Sequence, residues 1–346
     1  MAEALRELGH RVQVVTPYPT HAEDIHVSHP IRKHVDRDPS ASPGFMERMK
    51  RPLRRWRYFP EPEIRWARRV VTELPAELDS CDVLLTTSPP ESVHLVGHDL
   101  AERLGANWIA DFRDTWTLRP HRHYVKGFRA WVESALARRW LKKVSAILAV
   151  DEIVLSDALS LSPSGVRSRI IGHFSAPFRG EPTALPANTF NLVHSGGFTR
   201  SDHRRKLDPL LNALGDIRPD LHLHVAGPLT EEETRKLLSV PFATTHHGWL
   251  DLEGSRALQA GADALLLYTP DVTDALPGKY AEYLQARKPI VFMGADNVRG
   301  MAQRGGEFVE VTDLAALEKG ETRKAETQAT ARTAALDLLA LIAEMA

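Results

Sequence analysis

Three stretches of the chain combine charge, glycine and the ends of strands or helices in patterns that suit phosphate and sugar chemistry. In DALPGKYAEYL, residues 274–284, Pro277 and Gly278 precede a helix whose first turns present Lys279 and Glu282. Free backbone N–H groups at a helix start, with a lysine beside them, form a site for a phosphate or diphosphate. Glu282 follows three residues later on the same helical face, placed to accept hydrogen bonds from vicinal hydroxyls. The spacing fits equally a Pro-Gly turn followed by an exposed lysine and a glutamate at a buried edge. In HSGGFTRSDHRRK, residues 194–206, a strand ends in Gly196-Gly197 and leads through a polar loop to a helix beginning near Leu207. Paired glycines let a ligand approach the backbone closely. Arg200, Arg204, Arg205 and Lys206 offer charge for phosphate oxygens, which arginine can meet in bidentate fashion. A basic loop is often merely solvated, but this one sits where a strand of an α/β sheet ends, the usual ligand edge. In ADFRDTW, residues 110–116, Asp111, Arg113 and Asp114 stand at another strand end. They would position an acceptor hydroxyl or a donor sugar, with Asp114 the foremost candidate, or form a structural arginine–carboxylate pair.

Other chemistries lack their signatures. The chain has no GxGxxG and no GxxxxGK[ST], which argues against a dinucleotide dehydrogenase or a P-loop NTPase, and it has no HExxH or GxSxG. Its 16 histidines include the pair His246-His247, but neighbours on a strand point to opposite faces, so no metal site is expected there. His247-Gly248-Trp249 could instead line a loop near a base. Cys81 is the single cysteine, which excludes an intramolecular disulfide, fits a reducing cytoplasm and reads as a small buried residue. Lys and Arg number 44 against 45 Asp and Glu, so no global field attracts nucleic acid, and any electrostatic site is local.

The elements that must position these residues follow from the pattern of apolar runs. At 346 residues and 43% hydrophobic content the chain suits two domains better than one. Runs at 12–16, 82–87, 107–112 and 146–150 alternate with helical stretches such as 91–104 and 128–141. Strand, helix, strand is the unit of a parallel sheet covered on both faces. The segment 173–189 carries three prolines and no amphipathic period, and reads as a linker. A second series then runs through 190–195, 221–227, 243–247, 264–268 and 289–293. The expected divisions are a domain over 1–172, the linker 173–189, a domain over 190–323 and a final Ala/Leu-rich helix over 324–346. No stretch reaches the roughly 20 apolar residues of a membrane span. Residues 47–70 form the one strongly basic block, with aromatics among its arginines. It reads either as a solvated helix face with Trp56 and Trp66 packed inward or as a surface for anionic lipid at the inner membrane face.

The segments LGHRVQVVTP (8–17), FPEPEIRW (59–66), DVLLTTSPPESVHLVG (82–97), WIADFRDTW (108–116) and LPGKYAEYLQARKPIVF (276–292) together resemble glycosyltransferase family 4 and its relatives, over nearly the whole chain. The resemblance implies the GT-B fold: two Rossmann-like parallel-sheet domains facing each other across a cleft, with the last helix crossing back onto the first domain. It also implies a retaining, metal-independent transfer of sugar from a nucleoside diphosphate sugar to an acceptor hydroxyl, with no cofactor beyond the donor. The acceptor would be a glycan or a lipid-linked one. By resemblance Glu282 holds the ribose hydroxyls. The family's other donor glutamate falls on Asp274, eight positions earlier, where it would meet the donor sugar. The family's basic pair falls on Arg200 and on Arg205 or Lys206, and Arg113 or Asp114 takes the approximate place of the usual N-domain histidine. The sequence opens on the helix MAEALREL, whereas the family opens with a strand and a glycine-rich loop. That departure keeps in view a non-catalytic nucleotide-sugar-binding partner of a glycan assembly complex, and among enzymes the alternative is a GT-B-like sugar-nucleotide epimerase or phosphorylase.

Overall fold

The computed structural model describes residues 1–18, 24–28, 59–74, 78, 80–118, 127–175, 178–199, 204–215, 217–269, 277–294, 308–322 and 330–345. They form two compact units. The first extends to Ile171 and takes in Ala335–Ala346, and the second runs from Gly172 to Ala334.

In the first unit, helix α1 (Ala2–Glu7) ends as the N–H groups of Gly9 and His10 return to the carbonyls of Arg6 and Leu5. A short parallel pair follows, β1 (Val15–Thr16) with β2 (Ile25–His26). Helix α2 (Ile64–Glu73) buries Ile64, Trp66, Ala67 and Val70, and the Trp66 indole donates to the Val27 carbonyl at 2.7 Å. Trp66 is therefore packed inward, while Arg65 and Arg68 are exposed. Trp56, with residues 47–58 of the basic block, lies outside the described residues.

The main sheet of this unit joins β3 (Val83–Ser88), β4 (Asn107–Phe112), β5 (Ala146–Ala149) and β6 (Arg167–Ile170) in that order, all parallel. Between them run α3 (Val93–Leu100), α4 (Phe128–Leu141) and α5 (Glu152–Leu161). β5 is buried throughout and reads as an unbroken apolar run, as a strand covered on both faces must. β6 is mostly exposed, and its RSRI sequence has no apolar pattern from which a strand could be expected. It is fixed instead by its register with β5 and by Arg169, which donates to the Asp337 carbonyl at 2.9 Å and pairs with Glu344. Both partners belong to the last helix, α10 (Ala331–Met345). Cys81 is half-buried rather than fully buried.

The aromatic core of this unit surrounds His94, whose ring centre lies 4.5 Å from that of Phe112 and 5.9 Å from that of Trp116. The Thr86 hydroxyl accepts from the Trp108 indole at 2.9 Å and is hydrogen-bonded to His94 Nδ1, also at 2.9 Å. Burial holds the imidazole down to about 3.

The second unit carries six parallel strands in the order β12-β11-β10-β7-β8-β9. In chain order these are β7 (Phe190–Ser195), β8 (Leu221–Ala226), β9 (Ala243–Gly248), β10 (Ala264–Tyr268), β11 (Ile290–Met293) and β12 (Val309–Glu310). The helices are α6 (Leu207–Leu214), α7 (Glu231–Leu238), α8 (Leu252–Gly261) and α9 (Lys279–Ala286), with a 3₁₀ turn at Val311–Ala316. Successive strands extend from β7 to one side as far as β9, and the chain then returns to the other side of β7 with β10. That reversal is a topological switch point, and ligands of such sheets bind beyond the carboxyl ends of the strands beside it, here β7 and β10. Leu192, Leu210, Leu223 and Leu266 pack on one face of the sheet, and Val193, Leu258, Leu265, Tyr283 and Phe292 on the other.

His224 is buried within this sheet. Asn191 uses its Nδ2 to donate to the Pro186 and Thr189 carbonyls, so its Oδ1 accepts from His224 Nε2 at 3.1 Å. His224 Nδ1 then accepts from His247 Nε2 at 3.1 Å. His247 is thereby a structural partner within the sheet. Among the described residues no group of three or more His, Cys, Asp or Glu is placed to hold a metal ion, and no helix is long and apolar enough to cross a membrane.

Burial, aided by the neighbouring histidines His222 and His247, pushes His224 down to about 3, as burial does His94. The unfolded chain binds protons at these rings near the usual value of 6.5, whereas the folded chain does not until about 3. Stability is therefore full above about pH 6.5 and lost as pH falls toward 3. For His94 alone the expected loss between pH 6.5 and 5 is about 2 kcal/mol. Urea unfolding at pH 7.5 and pH 5 checks this, and equal midpoints would contradict it.

Candidate functional site

The candidate residues of the second unit converge on the carboxyl end of β7. Gly196 leaves the strand with φ +120°, a conformation that side chains strongly disfavour. A β-carbon there would fall 1.8 Å from Lys279 Nζ, so the absence of a side chain is what lets the lysine lie against the loop. Gly227, at the end of β8, is equally constrained: φ is +145° and a β-carbon would lie 2.5 Å from the Gly196 carbonyl carbon. The Gly196 N–H is held by the Ala226 carbonyl at 2.5 Å. Two adjacent strand ends thus meet through bare backbone, and Lys279 closes over them.

Lys279 is half-buried, and among the described residues no carboxylate forms an ion pair with it. Burial, then the nearby Arg205 guanidinium, push its pKa down to about 7, with Glu282 opposing. Arg205 is half-buried and donates through Nη1 to the Gly197 carbonyl at 3.3 Å. Lys206, by contrast, is exposed; its backbone caps α6, and its carbonyl accepts from the Tyr268 hydroxyl at 2.7 Å. Of the two residues the sequence offered for one basic position, Arg205 is the one turned to the glycine loop.

The start of α9 is less open than its sequence suggests. The Tyr280 N–H is engaged by the Pro277 carbonyl at 2.9 Å and the Ala281 N–H by the Gly278 carbonyl at 3.2 Å. Gly278 itself is exposed and has an ordinary helical φ of −56°. The anion-binding capacity of this corner therefore rests chiefly on the Lys279 and Arg205 side chains. Glu282 is half-buried one turn later, with Gln259 Nε2 3.4 Å from its Oε2. The same amide donates to the Ser195 hydroxyl at 3.1 Å.

Several supporting residues were not legible as site residues. The Tyr283 hydroxyl accepts from the Ser195 N–H at 3.0 Å and donates to the Leu266 carbonyl at 3.3 Å, tying β7 to β10 at the switch point. Burial pushes this phenol up to about 12. Glu233, the third residue of α7, completes a capping box with Thr230 and also accepts from the N–H and hydroxyl of Thr199 at 3.0 and 2.6 Å. Burial alone would raise its pKa, but the hydrogen bonds from Thr199 and Thr230 outweigh that and lower it. The T-x-x-E signature of the cap was readable; its reach back to the glycine loop was not. Arg200 and Asp274 lie outside the described residues.

In the first unit, Asp111 is buried on β4 and pairs with Arg113 at 3.6 Å. Burial pushes its carboxyl up, and Arg113 opposes the shift. Arg113 also donates to the Ile171 carbonyl at 3.0 Å, so the pair has the structural form weighed for this segment. Asp114 is half-buried, and its Oδ1 accepts from the Thr115 N–H at 2.9 Å. The loop beyond is fixed by Asp157, which accepts from the Trp116 and Thr117 N–H groups at 2.6 and 3.0 Å.

Two parallel α/β units, the second with a cationic, glycine-lined switch point, define a protein of the GT-B glycosyltransferase class. The chain belongs to the glycosyltransferase 4-like family, whose domain matches residues 1–173. Solved structures agree in fold. HepE from Anabaena, in complex with UDP and glucose, is 14% identical over 81% of this chain and 79% of its own, with a TM-score of 0.52. Sucrose-phosphate synthase from Thermosynechococcus elongatus is 15% identical over 99% of this chain and 87% of its own, with a TM-score of 0.57. WaaG, a glycosyltransferase of lipopolysaccharide biosynthesis, is 15% identical over 99% and 88%, with a TM-score of 0.50. At these identities the likeness is one of fold. No curated protein matches the chain.

Glu233→Ala removes the glutamate half of the capping box, leaving the Thr230 cap in place, together with the anchor of Thr199, and is expected to cost about 1–3 kcal/mol of stability. Urea denaturation measures this; a loss no larger than that of an exposed surface substitution on the same helix would show that the anchor contributes nothing.

Proposed function

We propose that the chain is a retaining, metal-independent glycosyltransferase that moves a sugar from a nucleoside diphosphate sugar to an acceptor hydroxyl. The observation that supports it most directly is the packing of Lys279 against Gly196 at the switch point of the second sheet, with Arg205 beside it. In this reading Gly196 and Gly197 let the diphosphate approach the backbone. Lys279, Arg205, Arg200 and the helix start at Gly278 meet the charge that develops on the leaving group. Lys206 adds an exposed charge at the entrance of the loop. Glu282 holds the ribose hydroxyls and Asp274 the donor sugar.

A donor phosphate oxygen takes the acceptor proton as the new glycosidic bond forms on the face the diphosphate leaves. Asp114, in the first unit, orients the acceptor. Side-chain cations meet the leaving-group charge, so the reaction proceeds without divalent metal and without a cofactor beyond the donor. Calorimetric titration with UDP, GDP and dTDP, with Mg²⁺ and with EDTA, tests the donor site. UDP is the first choice because HepE was crystallised with it. Metal-independent binding of one nucleotide, weakened at least about tenfold by Lys279→Ala, is expected. Unchanged turnover in both Lys279→Ala and Glu282→Ala would sink the assignment of these residues.

The same reading places the acceptor in polysaccharide or glycolipid synthesis, at the surface of an anionic membrane. In the first unit Phe128 and Trp131 are 69% and 66% exposed and stack on each other at 5.9 Å. Arg138 and Arg139 continue along the solvent side of α4, Lys142 follows its end with Lys143 paired to Glu102, and Arg65 and Arg68 project from α2. Between these helices and α3 lies a cavity of about 430 Å³ walled by Phe59, Ile64, Leu95, Leu136 and Trp140, with Arg68, Arg139, His98 and Asp99 supplying its polar lining. Aromatics flanked by basic residues suit the headgroup region of such a membrane. Vesicles rich in anionic phospholipid should sediment the protein at low salt, and Trp131→Ala should reduce the bound fraction severalfold. Equal binding to neutral vesicles, or none to either, would count against membrane contact.

A further inference from the structure

His194 stands two residues before Gly196 on β7 and is 1% exposed. Its Nδ1 lies 3.0 Å from the Leu266 carbonyl oxygen, which can only accept, so Nδ1 carries the hydrogen and donates it. Nε2 is left with a lone pair, and among the described residues it has no hydrogen-bond partner. The ring cannot turn to find one, because it stacks on Phe198 at 4.8 Å and is tied to β10. A buried acceptor without a donor is unusual, and its neighbourhood is cationic: Lys279 and Arg205 are the charges that act on this imidazole.

We propose that His194 is a positioning residue of the donor site, whose Nε2 accepts one N–H of the Lys279 ammonium when a nucleoside diphosphate binds. The other two N–H bonds are then directed at phosphate oxygens, and donor binding is linked to uptake of a proton. This inference rests on the donor-site reading above and deepens it.

The electrostatics agree in sign. Burial, with Lys279 and Arg205 behind it, holds His194 well below its usual range, so it acts as a neutral acceptor rather than as a third cation. Lys279, pushed down to about 7, is largely uncharged in the free protein at pH 8 to 9. Among the described residues the groups acting on the pair are Arg205 from the loop before α6, Glu282 from α9 and the Leu266 carbonyl from β10. An arriving diphosphate favours the ammonium, and a waiting acceptor favours it further. Affinity should be greatest below about pH 7, where Lys279 already carries its proton, and should fall as pH rises and a proton must be taken up.

The test is calorimetric titration of the full chain with UDP, GDP and dTDP between pH 7.5 and 9, in buffers of differing ionisation enthalpy. Wild-type protein is expected to take up as much as one proton on binding the preferred nucleotide, and to lose affinity by up to about tenfold per pH unit. His194→Leu should bind about tenfold more weakly with less proton uptake at pH 8.5, and His194→Gln, which keeps an acceptor oxygen, should recover part of both. Thermal unfolding confirms that each variant is folded. Should His194→Leu not fold, His194→Phe takes its place as the variant without an acceptor, and Lys279→Met, with His194 intact, must in either case abolish the proton uptake. Wild-type affinity and proton uptake in His194→Leu, or persistent uptake in Lys279→Met, overturns this inference and leaves the donor reading standing. Absence of nucleotide binding by wild-type protein overturns both.

Discussion

The second unit is organised around a close approach of bare backbone to charge. At the carboxyl end of β7 the chain must turn with positive φ, pass within van der Waals range of the next strand end at Gly227, and leave room for Lys279. Only glycine satisfies all three demands at position 196. The order of strands puts this corner at the reversal between β7 and β10, the switch point at which ligands of such sheets bind. Tyr283 and Glu233 then fix the two strands and the loop that border it.

That arrangement also explains why the electrostatics of the site are poised rather than saturated. Lys279 and Arg205 are gathered beside one another with no carboxylate ion-paired to the lysine among the described residues, and the price is a lysine near the midpoint of its titration at neutral pH. Such a cluster is destabilising for an unliganded fold and favourable for one that receives a polyanion. The buried Tyr283, Gln259 and Ser195 network beneath it supplies rigidity without adding charge.

The first unit uses burial differently. Its core closes around His94, Trp108, Phe112, Trp116 and Trp140, with Thr86, Asp157 and Glu133 meeting the polar atoms the aromatics bring inside. The Asp111–Arg113 pair belongs to the same structural economy, in which charged groups at the end of β4 neutralise each other. What this unit leaves to solvent is an aromatic and basic helix face beside an apolar cavity, a distribution opposite to the usual one, in which large aromatics turn inward.

Much of the architecture was written in local pattern. Strands such as AILA and ALLLY, buried on both faces, are apolar throughout and so are readable from composition along the chain, whereas the helix over 128–141 carries little apolar periodicity and is marked by its length between two strand runs. The Gly-Gly turn and the Pro-Gly-Lys helix start were legible for the same reason: their chemistry is local. Edge elements such as β6 were not, because an edge strand exposed to water needs no apolar signature and is defined by its neighbour. Nor could the sequence choose between Arg205 and Lys206, adjacent residues of like charge whose roles differ only in which way the backbone turns them. His194 read as an ordinary strand residue, and Glu233 was not singled out from the sequence. Only the tertiary structure, by bringing residues 34 and 72 positions away against them, made the one an acceptor without a donor and the other the anchor of the glycine loop.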